Sequence, residues 1–362
     1  MSAATPSEQL GRVLEVGGPE LSRLLSRAER RLGELSEGHG RALAEHAGGM
    51  LGAGGKRMRP VLVFLCGGEG DGRLVAAAVA VELLHMATLA HDDVLDRATL
   101  RRGRPTVFAQ GGREAATATG DLLFSRAFAE LSATGSPGAV RALSEASSSL
   151  ARGELMQRAD AWKEDVTPER YLERCRLKTA SLFEAACRLG ALFGDASGSE
   201  QALARFGACV GLAFQLLDDV LDVSGPSSRT GKPRGTDLLD GTVTLPLILA
   251  RRRDPELHRL DLRSVVTEPA QAAAVCDRIA LTGALSHARE EALRHVAEAK
   301  AAISGLELPE GRRRALGLVA DGVVERYARA VCPKSSGRMA SAASAAAKRS
   351  ISSTMFARIR RR

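Results

Sequence analysis

One acidic string occurs twice in this chain, and it constrains the fold more than any other feature. Asp92-Asp93-Val94-Leu95-Asp96 closes a long apolar helical stretch that starts near Arg73. Asp218-Asp219-Val220-Leu221-Asp222 closes a second, which starts near Glu200. Residues four apart share a helical face, so Asp92 and Asp96 point the same way, and so do Asp218 and Asp222. Asp93 and Asp219 lie to one side, where they can bind directly or support the others. Like charges crowded together cost free energy unless cations lie between them. Oxygen-only ligands at this spacing suit a hard divalent cation. Mg2+ is the natural choice, because it is held by a few carboxylates together with waters and substrate phosphates. Two solvent-facing acidic helix ends would be a blander reading, but they give no reason for the repetition. An EF-hand is excluded, since it needs a loop of about 12 residues with alternating ligands and a terminal Glu.

His85 precedes Asp92 by seven residues and so shares its face two turns away. Two readings of His85 stay open, a satisfied core histidine or a donor to a phosphate. Gln215 stands three residues before Asp218. Lys56, Arg57, Arg59, Arg101, Arg102, Lys178 and Lys232 are each, taken singly, solvated surface charges. Their placement beside glycine-containing loops and after the first Asp string favours phosphate cradling, with Arg able to grip phosphate bidentately. Gly55-Lys56 is not a P-loop, because Met50 stands where its first Gly belongs and Arg57 replaces the Ser or Thr. Two acidic clamps and several separate cations exceed the needs of one diphosphate. The pattern therefore points to two phosphorylated substrates beside a greasy cleft.

The 362 residues are 44% hydrophobic but only 3% aromatic, so the apolar content is Ala, Leu and Val, which suits helices. No segment alternates with period two. The expected fold is all-α, a large single-domain helical bundle over residues 21–332, after a flexible segment 1–20. Residues 333–362 form a Ser/Ala/Arg-rich tail whose composition reads as disordered. An alternative for the tail is a short basic amphipathic helix through Met355, Phe356 and Ile359 on an anionic membrane surface. The net charge of +8 resides there, since Lys334 to Arg362 hold eight basic residues and no acidic one. The neutral body gives no reason to expect nucleic-acid binding. No apolar run approaches the roughly 18 residues of a membrane span, and the N-terminus lacks a signal-peptide pattern, so a cytoplasmic location is expected. Six scattered cysteines without a CxxC pair read as reduced thiols, neither a disulfide framework nor a zinc site.

Further strings complete the pattern: GGKRMRP (54–60), ELLHMATLAHDDVLDRATLRRGRPT (82–106), GD (120–121), KTASLF (178–183), FQLLDDVLD (214–222), GKPRGTDL (231–238) and TLPL (244–247). In this order and spacing the chain resembles the trans-type isoprenyl diphosphate synthases, or polyprenyl synthetases, over about residues 20 to 330. The resemblance implies an isoprenoid-synthase-type bundle, usually a homodimer. It implies that Asp92, Asp93, Asp96, Asp218, Asp219 and Asp222 hold Mg2+, three ions per site, against an allylic diphosphate. Arg101, Lys178, Thr179, Gln215 and Lys232 would line that diphosphate, and Lys56, Arg59, His85 and Arg102 would bind isopentenyl diphosphate. Thr242 departs from the pattern, where many members carry Lys. The family's tail-length floor falls at Ala87 and Thr88, both small here, which implies a medium- or long-chain product unless Phe124 or Phe128 closes the channel. Rival readings are a synthase of shorter products, a class I terpene cyclase, and a non-catalytic subunit of a heteromeric synthase.

Overall fold

The computed structural model describes residues 8–37, 57–101, 103–195, 198–225 and 233–331, with 46, 48 and 50. The tail from 333 and the candidate residues Lys56, Arg102 and Lys232 lie outside the described residues. The described residues are helical nearly throughout, as expected. Its helices are α1 Glu8–Gly17, α2 Pro19–Glu37, α3 Met58–Gly67, α4 Gly72–Leu95, α5 Val107–Ser132, α6 Pro137–Asp160 and α7 Pro168–Cys175. A π-helical turn, Arg176–Ala180, leads into α8 Ser181–Phe193 and α9 Glu200–Ser224. Then come short α10 Thr236–Leu239, α11 Leu245–Arg251, α12 Pro255–Arg259 and α13 Leu262–Val265. The chain closes with α14 Pro269–Leu281, α15 Ala284–Ser304 and α16 Glu310–Val331. The described exception to helix is a small hairpin, β1 Leu100–Arg101 with β2 Arg104–Pro105, paired antiparallel.

Two helices organise the core. Asp71 caps α4 by accepting from the Arg73 N–H, and from Leu74 to Leu84 nearly every side chain is buried. A helix that is apolar all round belongs in the middle of a bundle, and α4 is packed among α2, α3, α5 and α8. By length and hydropathy this helix could cross a membrane, contrary to the sequence expectation, but 72% of its most apolar window is buried within the bundle. Helix α9 is the second pillar and packs against α8, α14, α15, α16 and the π-helical turn.

The N-terminal expectation needs correcting. Residues 8–17 are helical, with Leu10 and Val13 buried. This helix packs on α16, where Arg12 pairs with Glu325, so an apolar stripe and an ion pair tie down a segment expected to be flexible. Sequence and structure agree at Thr167-Pro168-Glu169, where Thr167 accepts from the Arg170 N–H and Pro168 opens α7.

Close helix approach fixes the π-helical turn between two neighbours. A Cβ on Gly153 of α6 would lie 2.5 Å from the Lys178 backbone nitrogen, and one on Gly211 of α9 would lie 2.6 Å from Ala180 Cα. Both contacts are to backbone, which cannot swing aside. Replacing Gly211 with Ala should therefore push α9 off the turn. The net loss, after the helix-propensity gain of Ala, should be about 1–2 kcal/mol, read as a lowered denaturant midpoint at unchanged slope.

Candidate active site

Burial along the pillars leaves one accessible stripe on each. On the carboxyl half of α4, His85, Thr88, Leu89 and Asp92 keep partial exposure, while Leu84, Ala87, Ala90 and Asp93 are buried. These four follow i, i+3, i+4, i+7 and so form one stripe, with part-exposed His91 beside it facing Asp121. On α9 the corresponding stripe is Phe214, Gln215, Asp218 and Asp222. Both stripes end in carboxylates at a helix C-terminus, where the backbone dipole already concentrates negative charge. This placement is unfavourable for the isolated protein and calls for cations.

Some cations are supplied by the chain. Arg101, brought back by the hairpin, grips Asp93 Oδ1 through Nε and Nη2, both at 2.8 Å. Arg158 of α6 reaches Asp96 Oδ1 at 2.8 Å and Glu154 Oε1 at 2.8 Å. Lys178 of the π-helical turn pairs with Glu154. The Asp92 carboxylate makes no side-chain hydrogen bond among the described residues, and burial, partly offset by Lys178, pushes it up to about 6.

The second cluster is built differently. Asp219 is 4% exposed, and both its oxygens are occupied: Oδ2 accepts from Tyr171 Oη at 2.6 Å and Oδ1 from Gln215 Nε2 at 2.7 Å. Burial outweighs these donors and raises its carboxyl to about 6. Gln215 Oε1 in turn accepts from Thr179 Oγ1 at 2.7 Å. Asp218 pairs with Arg326 of α16 at 2.6 Å, and Asp222 accepts from the Asp237 N–H at 3.2 Å. The Asp237 side chain is held well above the usual carboxylate range, first by burial and then by Asp222, Asp219 and Asp218.

The π-helical turn therefore serves both clusters. Lys178 leads through Glu154 and Arg158 to Asp96, and Thr179 leads through Gln215 to Asp219. Single π turns inside helices recur at functional sites because they re-aim side chains. A second connection is aromatic. The Arg59 guanidinium lies 4.5 Å from the Phe183 ring centre, Phe183 meets Phe214 at 5.9 Å, and Arg326 lies 4.6 Å from Phe214. Arg59 of α3 is thereby linked to the cation on Asp218.

The donor set suits divalent cations. Asp92, Asp96, Asp218 and Asp222 offer accessible oxygens on two faces, whereas Asp93 and Asp219 are buried and already bound. The latter two read as supports, the second of the two roles that the sequence left open. Ala87 has no exposed surface, while Thr88 is partly exposed and its hydroxyl donates to the His85 carbonyl at 2.7 Å. The rings of Phe124 and Phe128 of α5 meet at 5.2 Å, tilted by 37°. Thr242 donates its N–H to the Asp237 carbonyl at 2.8 Å, so its backbone shapes the loop beside the second cluster.

Sequence reasoning missed Tyr171, Glu154, Arg158, Arg326 and Asp237. Asp237 lies within the GKPRGTDL string and could have been found there. Glu154 and Arg158 are an i, i+4 pair with an ordinary surface reading. Tyr171 and Arg326 meet the second cluster only through folding, from 48 and 108 residues away.

The chain belongs to the polyprenyl synthetase family, whose model matches residues 41–280. It is accordingly a prenyltransferase of the polyprenyl diphosphate synthase class. Component 2 of the heptaprenyl diphosphate synthase of Geobacillus stearothermophilus is 38% identical over 299 residues, 81% of this chain and 92% of that protein. The geranylgeranyl diphosphate synthase of Methanosarcina mazei is 34% identical, over 76% of this chain and 87% of its own. Among solved structures, a polyprenyl synthase from Caulobacter crescentus complexed with calcium and isoprenyl diphosphate superposes with a TM-score of 0.79. It is 32% identical and covers 90% of this chain and 100% of its own.

Replacing Tyr171 with Phe removes one donor to Asp219 and leaves its Oδ2 buried and unpaired. Thermal unfolding should reveal a loss of about 1–3 kcal/mol. An unchanged midpoint would mean that the hydrogen bond does not hold the second cluster in place.

Proposed function

We propose that this protein condenses an allylic prenyl diphosphate with isopentenyl diphosphate to give a trans-polyprenyl diphosphate. The observation that carries the reading is the joining of both Asp clusters to one π-helical turn. An anion near them would be met by cations held by the carboxylates and by Lys178. Mg2+, three ions per site by family resemblance, would be held by Asp92, Asp96, Asp218 and Asp222 and would supply electrostatic stabilisation of a departing diphosphate.

The chain's own residues carry the rest. Arg101, Lys178, Thr179, Gln215 and Lys232 orient the allylic diphosphate. Lys56, Arg59, His85 and Arg102 hold isopentenyl diphosphate. The allylic C–O bond breaks, and its electron pair leaves with diphosphate. The double bond of isopentenyl diphosphate attacks the allylic cation, and the proton then lost passes to the released diphosphate. No protein nucleophile is needed. Apolar walls keep water from the cation. In this reading the enzyme is a cytoplasmic homodimer, and a peripheral contact of the basic tail with anionic membrane is an alternative. The Geobacillus relative's designation as a component makes a heteromeric partner the alternative assembly, and the mass of the purified complex separates the two.

Chain length follows from the accessible stripe on α4. Small Thr88 below Asp92 leaves room for a long tail, about 30 carbons or more. One observation favours a shorter product: Leu84 and Val81, one and two turns deeper, have no exposed surface, so the stripe stops at His85.

Incubation with farnesyl diphosphate, isopentenyl diphosphate and Mg2+, followed by mass spectrometry of the products, tests both readings. Products beyond 20 carbons support the long channel, and a stop at 20 carbons, about four isoprene units, supports the closed stripe. Absence of any elongation would overturn the function. Asp92→Ala and Asp218→Ala should each lower turnover at least about 100-fold while leaving the fold intact. Thr88→Phe should shorten the product, because it fills the partly open position. Ala87→Phe should instead destabilise the protein by about 1–3 kcal/mol, since Ala87 is packed on all sides.

A further inference from the structure

Among the described residues, one group of ligating side chains stands apart from the Asp clusters, between α9 and α15. Cys209, His295 and Glu298 bring a sulfur, a ring nitrogen and a carboxylate oxygen within 4.8 Å of one another. Glu298 Oε2 lies 3.8 Å from Cys209 Sγ and 3.9 Å from His295 Nδ1. Cys209 is 6% exposed, and both ring nitrogens of His295 are sealed from solvent without a hydrogen-bond partner. Buried polar atoms are normally satisfied, so an imidazole whose two nitrogens make no hydrogen bond calls for a ligand. Its other nitrogen, Nε2, faces Glu291 Oε1 at 3.5 Å, and Glu291 is itself held by Arg294. A metal-bound imidazole characteristically turns its second N–H toward such a carboxylate, which fixes the tautomer. Burial, the main influence on His295, keeps the ring in the neutral form that binds metals. The cations facing the group are Arg205 near Cys209, and Arg294 and Arg176 near His295.

We propose that Cys209, His295 and Glu298 bind a Zn2+ ion that staples α9 to α15. Thiolate, imidazole and carboxylate together are a zinc donor set, and the sulfur discriminates against Mg2+. Three protein ligands leave the fourth position of the tetrahedron to water. On binding, the Cys209 S–H bond is replaced by an S–Zn bond and the proton passes to solvent, so affinity rises with pH. The staple fixes the helix that carries the second Asp cluster, nine residues beyond Cys209. The proposal departs from the sequence expectation of no zinc site. Spacing motifs register ligands close in the chain, and here the Cys and Glu are 89 residues apart.

The test is titration of the EDTA-stripped full-length protein with Co2+, followed by displacement with Zn2+. A thiolate-to-cobalt charge-transfer band at one equivalent, lost in Cys209→Ser and in His295→Phe and retained in Asp92→Ala/Asp218→Ala, is expected. Zn2+ should raise the Tm of the wild type by about 5 °C and leave that of Cys209→Ser unmoved, with metal-free circular dichroism confirming that the variant folds. No band, or a band that persists in Cys209→Ser, overturns the proposal. So does Co2+ binding that vanishes only when the Asp clusters are altered.

Discussion

Negative charge at the carboxyl ends of two core helices is the interaction on which the rest depends. The helix dipole makes those ends poor places for carboxylates, and burial makes the placement worse. The chain nevertheless puts Asp92, Asp93 and Asp96 on one helix end and Asp218, Asp219 and Asp222 on the other. Arg101, Arg158 and Arg326 each answer one carboxylate. Asp92, Asp219 and Asp237 are still left with raised carboxyl pKa values. What remains is a standing demand for cations from outside the chain, and that demand is the chemical identity of the site.

The scaffold meets a second demand, which is precision. Asp219 has no freedom, because Tyr171 and Gln215 occupy both its oxygens. Gln215 is fixed by Thr179, and Thr179 sits on a π turn clamped by the closeness of Gly153 and Gly211 to its backbone. Close packing is thus converted into orientation of charged groups. The aromatic ladder from Arg59 through Phe183 and Phe214 to Arg326 does the same across the cleft, with guanidinium faces resting on rings.

Much of this was legible in the sequence. The long core helices could be read from apolar density, and the clusters from repetition. The Thr167 cap could be read from local chemistry, and the family from the order of its strings. Other features were not legible, for identifiable reasons. Helix α1 looked loose because Gly and Pro punctuate its surroundings, yet its Leu10 and Val13 find α16 across the fold. Tyr171 and Arg326 look like ordinary side chains until folding carries them to the second cluster. Ala87 and Thr88 look equivalent as small residues, and only burial separates a packed position from one that borders open space. Cys209 and His295 show nothing in spacing, because their meeting is wholly tertiary.

The central claim is that the two Asp clusters act as one cation-dependent grip on diphosphate. Calorimetric titration of inorganic diphosphate into the full-length protein tests it most directly, with and without Mg2+, for the wild type, Asp92→Asn and Asp218→Asn. Tight binding is expected only when Mg2+ is present, with a loss of at least about 10-fold in affinity from altering either cluster alone. Binding that is equally tight without Mg2+, or that survives the loss of one cluster unchanged, would contradict it.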